Sequence, residues 1–473
     1  MDAILLVTLE REALRASTYA PMKHTIISVI AIWVLFQFGA MFWSSKDHAA
    51  DGTFASFLEA PPRSVANPYH NGYFYLFGLT TAAPLDPAKT GYEIWLEETE
   101  GGRRIDPDLH SGSRKDLAFG LSGEPIRPSW EADDPLDEFR KRDFPLRALT
   151  SQHQILLSRY EHWLGMPFED WGFGHRIVPL NEDILAVHRI YIAEGFSSST
   201  VQGVERLRKE LHLWRAVLRD AKTIGTKVFA QIVITDDLQL LSRILAKPTV
   251  DKAILTMGLQ LTMPLSDSEY SLRWPIRNQV ALAFKDGRAA GVRNRRSSED
   301  ESLLQQANLP LHAFNSIEHS SGRASKTYAA YYDAVIKASE SKAKTLPRMQ
   351  EVMGSMQRGF IESLMNPHPV EPGWEIFHHQ LVETDTRLRL ASLQIQLRRP
   401  SAQLAVPTRL AEVGSQYFDP FTGLPMLWSP TQQKLYSVGR DRLDDGGDPT
   451  FDISVPAIIA QTQARPVAQS VHR

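Results

Sequence analysis

The sequence predicts a mainly α fold: a helical periplasmic domain behind an N-terminal transmembrane helix, closed by a small C-terminal α+β module of one helix and a β-hairpin. Three observations lead there. An apolar run without a charge occupies residues 26–43, long enough at about 1.5 Å per helical residue to cross a bilayer core. Apolar residues then recur at three- and four-residue steps through much of 151–228, the period of one helix face. Near the C-terminus two short strand-like stretches, 424–428 and 434–438, flank Ser429-Pro430-Thr431-Gln432-Gln433, a hairpin pattern.

The apolar run ends in Met41-Phe42-Trp43, side chains too bulky for a signal-peptidase site, so it reads as an uncleaved anchor. Arg11, Arg15 and Lys23 precede it, and only Lys46 follows before Arg63. This basic bias places the N-terminus in the cytoplasm and the bulk of the chain in the periplasm, an inner-membrane, single-pass topology. Residues 1–21 form the cytoplasmic segment, although Met22-Lys23-His24 makes an alternative start directly ahead of the run. The expected division is 22–43 as the span, 44–66 as a linker, 67–370 as the helical domain, 374–455 as the C-terminal module and 456–473 as a flexible tail.

Composition bounds the function classes. With 473 residues and 43% hydrophobic content the chain folds rather than staying disordered. A formal charge of −3 supplies no basic field for nucleic acid. The absence of cysteine removes disulfides, thiolate metal sites and cysteine nucleophiles together.

The folded part opens on Asn67-Pro68-Tyr69-His70-Asn71-Gly72-Tyr73-Phe74-Tyr75-Leu76-Phe77-Gly78-Leu79, aromatics that pin a short first helix into the core. Asp86-Pro87 begins a second helix carrying Tyr92, Ile94, Trp95 and Leu96, which stops at Gly101-Gly102. The stretch 103–147 is polar and broken by five prolines, and Glu131, Asp133, Asp134, Asp137 and Glu138 read as a solvated acidic loop. Residues 151–164 form one periodic helix. Asn181 caps the next, with Ile184, Leu185, Val187, His188 and Tyr191, and Gly195 ends it. Ser199-Thr200-Val201-Gln202 starts another, whose apolar face continues through Val204, Leu207, Leu211, Trp214, Leu218, Ala221, Ile224 and Val228. These two make an antiparallel pair, with 228–234 alternatively a strand. Residues 328–346 and 348–365 read as two more helices before the prolines and Gly373 of a second boundary.

Several chemistries fail on spacing. No H-E-x-x-H occurs. Gly120-Leu121-Ser122-Gly123 lacks the spacing of a nucleophile elbow. Ser320-Ser321-Gly322-Arg323-Ala324-Ser325-Lys326-Thr327 ends like a P-loop but has serine where both defining glycines belong. His378 and His379, with His368, Glu375, Glu383 and Asp385 nearby, form the densest histidine cluster, equally explained by a solvated helix face. Glycosidase carboxylates leave no signature along a chain.

The most specific stretch is Tyr417-Phe418-Asp419-Pro420-Phe421-Thr422-Gly423, then the hairpin, then Gly439-Arg440-Asp441-Arg442-Leu443-Asp444-Asp445-Gly446-Gly447-Asp448. Four carboxylates among glycines suit a hard cation that takes six to eight oxygens, calcium, without the ligand spacing of an EF-hand. With Leu435-Tyr436-Ser437-Val438-Gly439 before the loop, residues 374–455 resemble the soluble domain of the major pseudopilins of type II secretion. That resemblance implies calcium as the cofactor and Asp441, Asp444 and Asp448 as its ligands. Arg442 stands where the family has glycine, the pilin processing motif is absent, and about 330 residues separate the span from the module, so pilin assembly is not implied. The whole chain also resembles a group of uncharacterised proteobacterial membrane-anchored periplasmic proteins. The expectation is a structural or adaptor protein of the cell envelope with a protein partner there; the alternative is an envelope hydrolase working through carboxylates in a helical groove.

Overall fold

The computed structural model describes residues 56–100, 134–141, 146–179, 182–282, 322–348, 351–352, 374–399 and 404–458. The expected span at 26–43 lies outside them, as do Asn181, His368 and the last fifteen residues. Among the described residues no helix is long and apolar enough to cross a membrane. They are mainly helical, with one small antiparallel sheet. Contacts divide the chain into two compact units, 1–59 with 280–330 and 60–279 with 331–473. In the first, residues 56–58, 280–282 and 322–330 are helical. The second holds the helical bundle and the sheet.

Asn71 caps α1 (Gly72–Phe77) by accepting the Tyr73 N–H, and all six residues of α1 are buried. α2 (Pro87–Glu100) crosses α1 at contact distance. Glycine makes this crossing possible: a Cβ on Gly91 would lie 1.9 Å from the Phe74 carbonyl oxygen, and one on Gly78 2.0 Å from that of Pro87. The Phe74 ring meets Tyr92, Trp95 and Trp171 edge to face, geometry that adds to simple burial. The expected first two helices are thus present.

The acidic stretch is not wholly loop. Asp134 accepts the Asp137 N–H and caps α3 (Pro135–Arg140), whose proline stands in the first turn where no N–H is needed. The segment 151–164 is not one helix either: α4 (Leu146–Gln152) and α5 (Gln154–Trp163) break at His153, which has φ −109° and ψ 23°. Arg159 on α5 donates to the carbonyls of Leu79, Thr81, Ala82, Ala83 and Leu85 and so holds the turn between α1 and α2.

α6 (Glu182–Ser198) runs past Gly195, where the sequence places its end. The glycine serves packing instead of termination: its Cβ would stand 3.1 Å from Gly203 Cα, and a Cβ on Gly203 would strike the Phe196 ring at 2.2 Å. Ser199 accepts the Gln202 N–H and opens α7 (Thr200–Asp220). The apolar period does not continue in one helix to Val228. Buried Asp170 accepts the N–H groups of both Lys222 and Thr223, which removes them from a helical ladder, and Thr223 then caps α8 (Ile224–Leu245). Residues 228–234 are therefore helical, their β-branched composition overridden by burial in the bundle.

Pairings along these helices give their directions. Arg206 bonds Glu194 and the Tyr191 carbonyl while His188 faces Glu210, so α6 and α7 are antiparallel. Lys227 bonds the Leu218 carbonyl and Trp214 meets Phe229, so α7 and α8 are antiparallel as well. α9 (Lys252–Leu261) and α10 (Asp267–Tyr270) cover α7, and α11 (Gly322–Glu340) precedes α12 (Trp374–Gln396). Gln231 bonds Thr384 and Gln394 bonds the Ser242 carbonyl, which makes α12 parallel to α8.

After α13 (Val406–Glu412) the chain forms β1 (Leu427–Ser429), β2 (Lys434–Ser437) and β3 (Ile453–Pro456), antiparallel in the order β1-β2-β3. Leu427 pairs with Tyr436 and Leu435 with Val455. The hairpin is the expected one; β3 adds a third strand to it. This sheet lies on α12, which itself packs on α8 and α9. One compact unit thus holds residues from both sides of the boundary expected near 370–374.

Candidate functional site

Three titratable side chains meet in the middle of the bundle. His188 from α6, Glu210 from α7 and Asp237 from α8 are all 0% exposed. His188 Nδ1 lies 3.4 Å from Glu210 Oε1, and His188 Nε2 lies 3.8 Å from Asp237 Oδ1. One donor atom from each residue lies within 4.8 Å of the other two, and among the described residues no other set of three histidines or carboxylates does so.

Each arrives by ordinary helix periodicity. Glu210 stands three residues after Leu207 and four before Trp214, on the face that α7 buries, and Asp237 is four after Val233 and four before Leu241. Glu210 is fixed from behind: Oε2 accepts hydrogen bonds from Tyr160 Oη at 2.8 Å and Trp214 Nε1 at 2.8 Å. Its Oε1 and both Asp237 oxygens accept none. Burial, followed by the neighbouring charges of Glu210 and Asp236, drives the Asp237 carboxyl well above the usual carboxylate range. Burial likewise raises Tyr160, with Glu210 adding to it, so the phenol stays a donor. The arrangement can hold a cation or share protons between an imidazole and two carboxylates. Closed on all sides, it meets no substrate in this form.

The sequence-predicted loop is placed differently. Asp441, Asp444 and Asp448 are exposed, and each turns its Oδ1 to a backbone N–H two residues on: Leu443 at 3.1 Å, Gly446 at 3.0 Å and Thr450 at 2.9 Å. Tyr436 Oη also donates to Asp444 at 3.0 Å. Behind the loop lies Asp452, 3% exposed, which accepts the Gly447 N–H through Oδ2 while its Oδ1 has no hydrogen-bond partner. Arg442, where the pseudopilins have glycine, takes φ +63°, the left-handed region that glycine adopts without cost.

The other histidine cluster is dispersed. His378 is buried against the Ala343 carbonyl at 2.7 Å, His379 pairs with Glu375 at 3.0 Å, and Glu383 binds Arg440 at 2.7 Å. Asp385 is taken by Arg389, Tyr270 Oη and the Leu265 N–H. Beside Asp385 a cavity of about 300 Å³ is lined by Tyr270, Lys342, Lys344, Arg389 and Asp419 among others. Their polar ends are committed. Lys342 bonds Asp267 and the Leu265 carbonyl, Lys344 the Thr422 carbonyl, Arg389 the Phe418 carbonyl, and Asp419 the N–H groups of Phe421 and Val438.

Comparison with protein-family models, with curated proteins and with solved structures finds no match to this chain.

The triad escapes a reading by motif. His188 sits in an apolar row, and Glu210 and Asp237 look like any helical carboxylate until the period is counted. The available signal was a charge on the core-facing stripe of two consecutive helices.

Proposed function

We propose that the chain is a single-pass inner-membrane protein whose folded unit acts as a structural or adaptor element in the periplasm and docks a protein partner of the envelope. The observation that carries this reading is the cavity beside α12, whose named acids and bases are bound to one another or to backbone groups, as in a packed structural contact. The uncharged run at 26–43 and the basic residues ahead of it support the anchor. Leu443 and Phe451, 65% and 58% exposed, stand on the acidic loop, the mixture of apolar anchors and polar surround found at docking surfaces.

Cross-linking of the tagged full-length protein in its native membrane tests this. One reproducible envelope protein is expected, and its recovery falls with Leu443→Glu and Phe451→Glu. A protein recovered alone or with cell-wall fragments, whatever the loop carries, overturns the adaptor in favour of the hydrolase.

In the same reading the acidic loop takes calcium through Asp441, Asp444 and Asp448. The three aspartates do not converge to within 4.8 Å, and Gly446 and Gly447 at φ +71° and +88°, with the buried Asp452 oxygen behind them, give the loop the freedom to close around an ion. Calcium raises the melting temperature by a few degrees over a calcium-selective chelator, and Asp441→Ala abolishes the difference. No shift in the parent protein refutes the site.

A further inference from the structure

We propose that His188, Glu210 and Asp237 bind a divalent first-row transition-metal ion of the zinc class, a structural metal that ties α6, α7 and α8 together. This goes beyond the adaptor reading and does not depend on it.

The spacing of the donors is the first argument. Glu210 Oε1 faces His188 Nδ1 at 3.4 Å and Asp237 Oδ1 faces the other ring nitrogen, Nε2, at 3.8 Å, while one donor atom of each residue lies within 4.8 Å of the other two. A single ion takes one of the two ring nitrogens, and with ligands at about 2.0–2.2 Å it sets neighbouring tetrahedral donors roughly 3.3–3.6 Å apart, so one carboxylate already stands near that spacing and the other closes in by about 1 Å on binding. Charge is the second. Both Asp237 oxygens and Glu210 Oε1 are buried without a hydrogen-bond donor, and among the described residues neither carboxylate pairs with a lysine or arginine. Buried carboxylates left in this way are costly until a cation or a proton neutralises them. A dication balances the two charges and takes an orphan oxygen of each carboxylate.

The surroundings fit a ligand shell. Tyr160 and Trp214 hold Glu210 Oε2, which orients Oε1 toward His188 as outer-shell donors orient a metal-ligating carboxylate. One imidazole nitrogen, an oxygen of Glu210 and an oxygen of Asp237 give three protein donors, and their full burial leaves no path for a substrate, as suits a structural rather than a catalytic site. An imidazole in the set and a low donor count favour zinc and its neighbours over calcium, which takes six to eight oxygens.

The competing arrangement is an imidazolium held between two carboxylates, and the experiment separates the two. The full-length protein is unfolded with a chelator, refolded with and without zinc, and passed through a desalting column. About one zinc per chain is expected to remain, with a melting temperature roughly 5–10 °C above the metal-free form. Refolding with cobalt(II) is expected to give visible d–d absorption. Asp237→Asn loses the metal and the shift; Asp441→Ala keeps both. Should Asp237→Asn not refold, X-ray absorption of the zinc-loaded parent decides, with a single imidazole and otherwise oxygen donors expected. Zinc below about a tenth of an equivalent with unchanged melting, zinc retained by folded Asp237→Asn, or a shell with several imidazoles each overturns the proposal.

Discussion

Lys227 is fully buried on α8, and its Nζ has one protein acceptor, the Leu218 carbonyl at 2.9 Å. Burial pushes its ammonium down to about 7, against the partial support of Glu269 and Asp220. Between that value and the ordinary lysine range near 10.5 the unfolded chain holds a proton that the native protein has released. Stability therefore rises with pH across this window, by up to about 1.4 kcal/mol per unit. Lys227→Met removes the rise. Chemical denaturation of parent and variant at pH 7.5 and 9.5 checks it: the parent gains about 2 kcal/mol more than the variant over this range. Staying below the titration of the buried tyrosines keeps the comparison clean, because Tyr73 and Tyr160 sit above their ordinary value. Equal slopes would mean that the amine stays charged in the core.

At the scale of elements, close helix crossings rest on single glycines. Gly91→Ala gains about 1 kcal/mol of helix propensity and meets the Phe74 carbonyl at 1.9 Å, a backbone contact that cannot rotate away. Overpacking of this kind costs typically about 1–3 kcal/mol, and more against backbone, so a net loss of about 2 kcal/mol is expected in thermal or urea melts. Gly165→Ala, whose added carbon meets only the His162 carbonyl at 3.5 Å, is the control and changes stability by less than about 0.5 kcal/mol. Such crossings also mark where sequence reading succeeds and fails. The Ser199 cap, the short first helix and the hairpin after Gly423 were legible because their determinants lie within a few residues. The break between α7 and α8 was not, since the residue that makes it, Asp170, is 52 positions from Lys222. Gly195 reads as a helix end until Gly203 is placed against it. β3 has four residues, and only its pairing with β2 identifies it as a strand. The buried triad depends on three helices at once, its members 22 and 27 positions apart, so no motif-length window contains it.

The larger unit is organised around α12, which runs parallel to α8 and carries the sheet. A parallel neighbour cannot be reached by a tight turn, and more than a hundred residues separate the end of α8 from the start of α12. Because α12 is a core element of this unit, cutting the chain at 374 exposes the apolar face of α8, and the C-terminal module is not a removable appendage. The N-terminal end offers a different test. Residues 1–43 lie outside the unit formed by 60–279 and 331–473, so that unit is expected to fold without them. The proposed anchor then makes a separable contribution. Full-length protein should sediment with membranes and resist extraction at high salt, because burial of an apolar span is not screened by ions. A variant beginning at Ser44 should move to the soluble fraction with an unchanged far-ultraviolet helix signal per residue. If the full-length chain is itself soluble, or the shortened one still sediments while folded, residues 26–43 are not what holds the protein at a membrane.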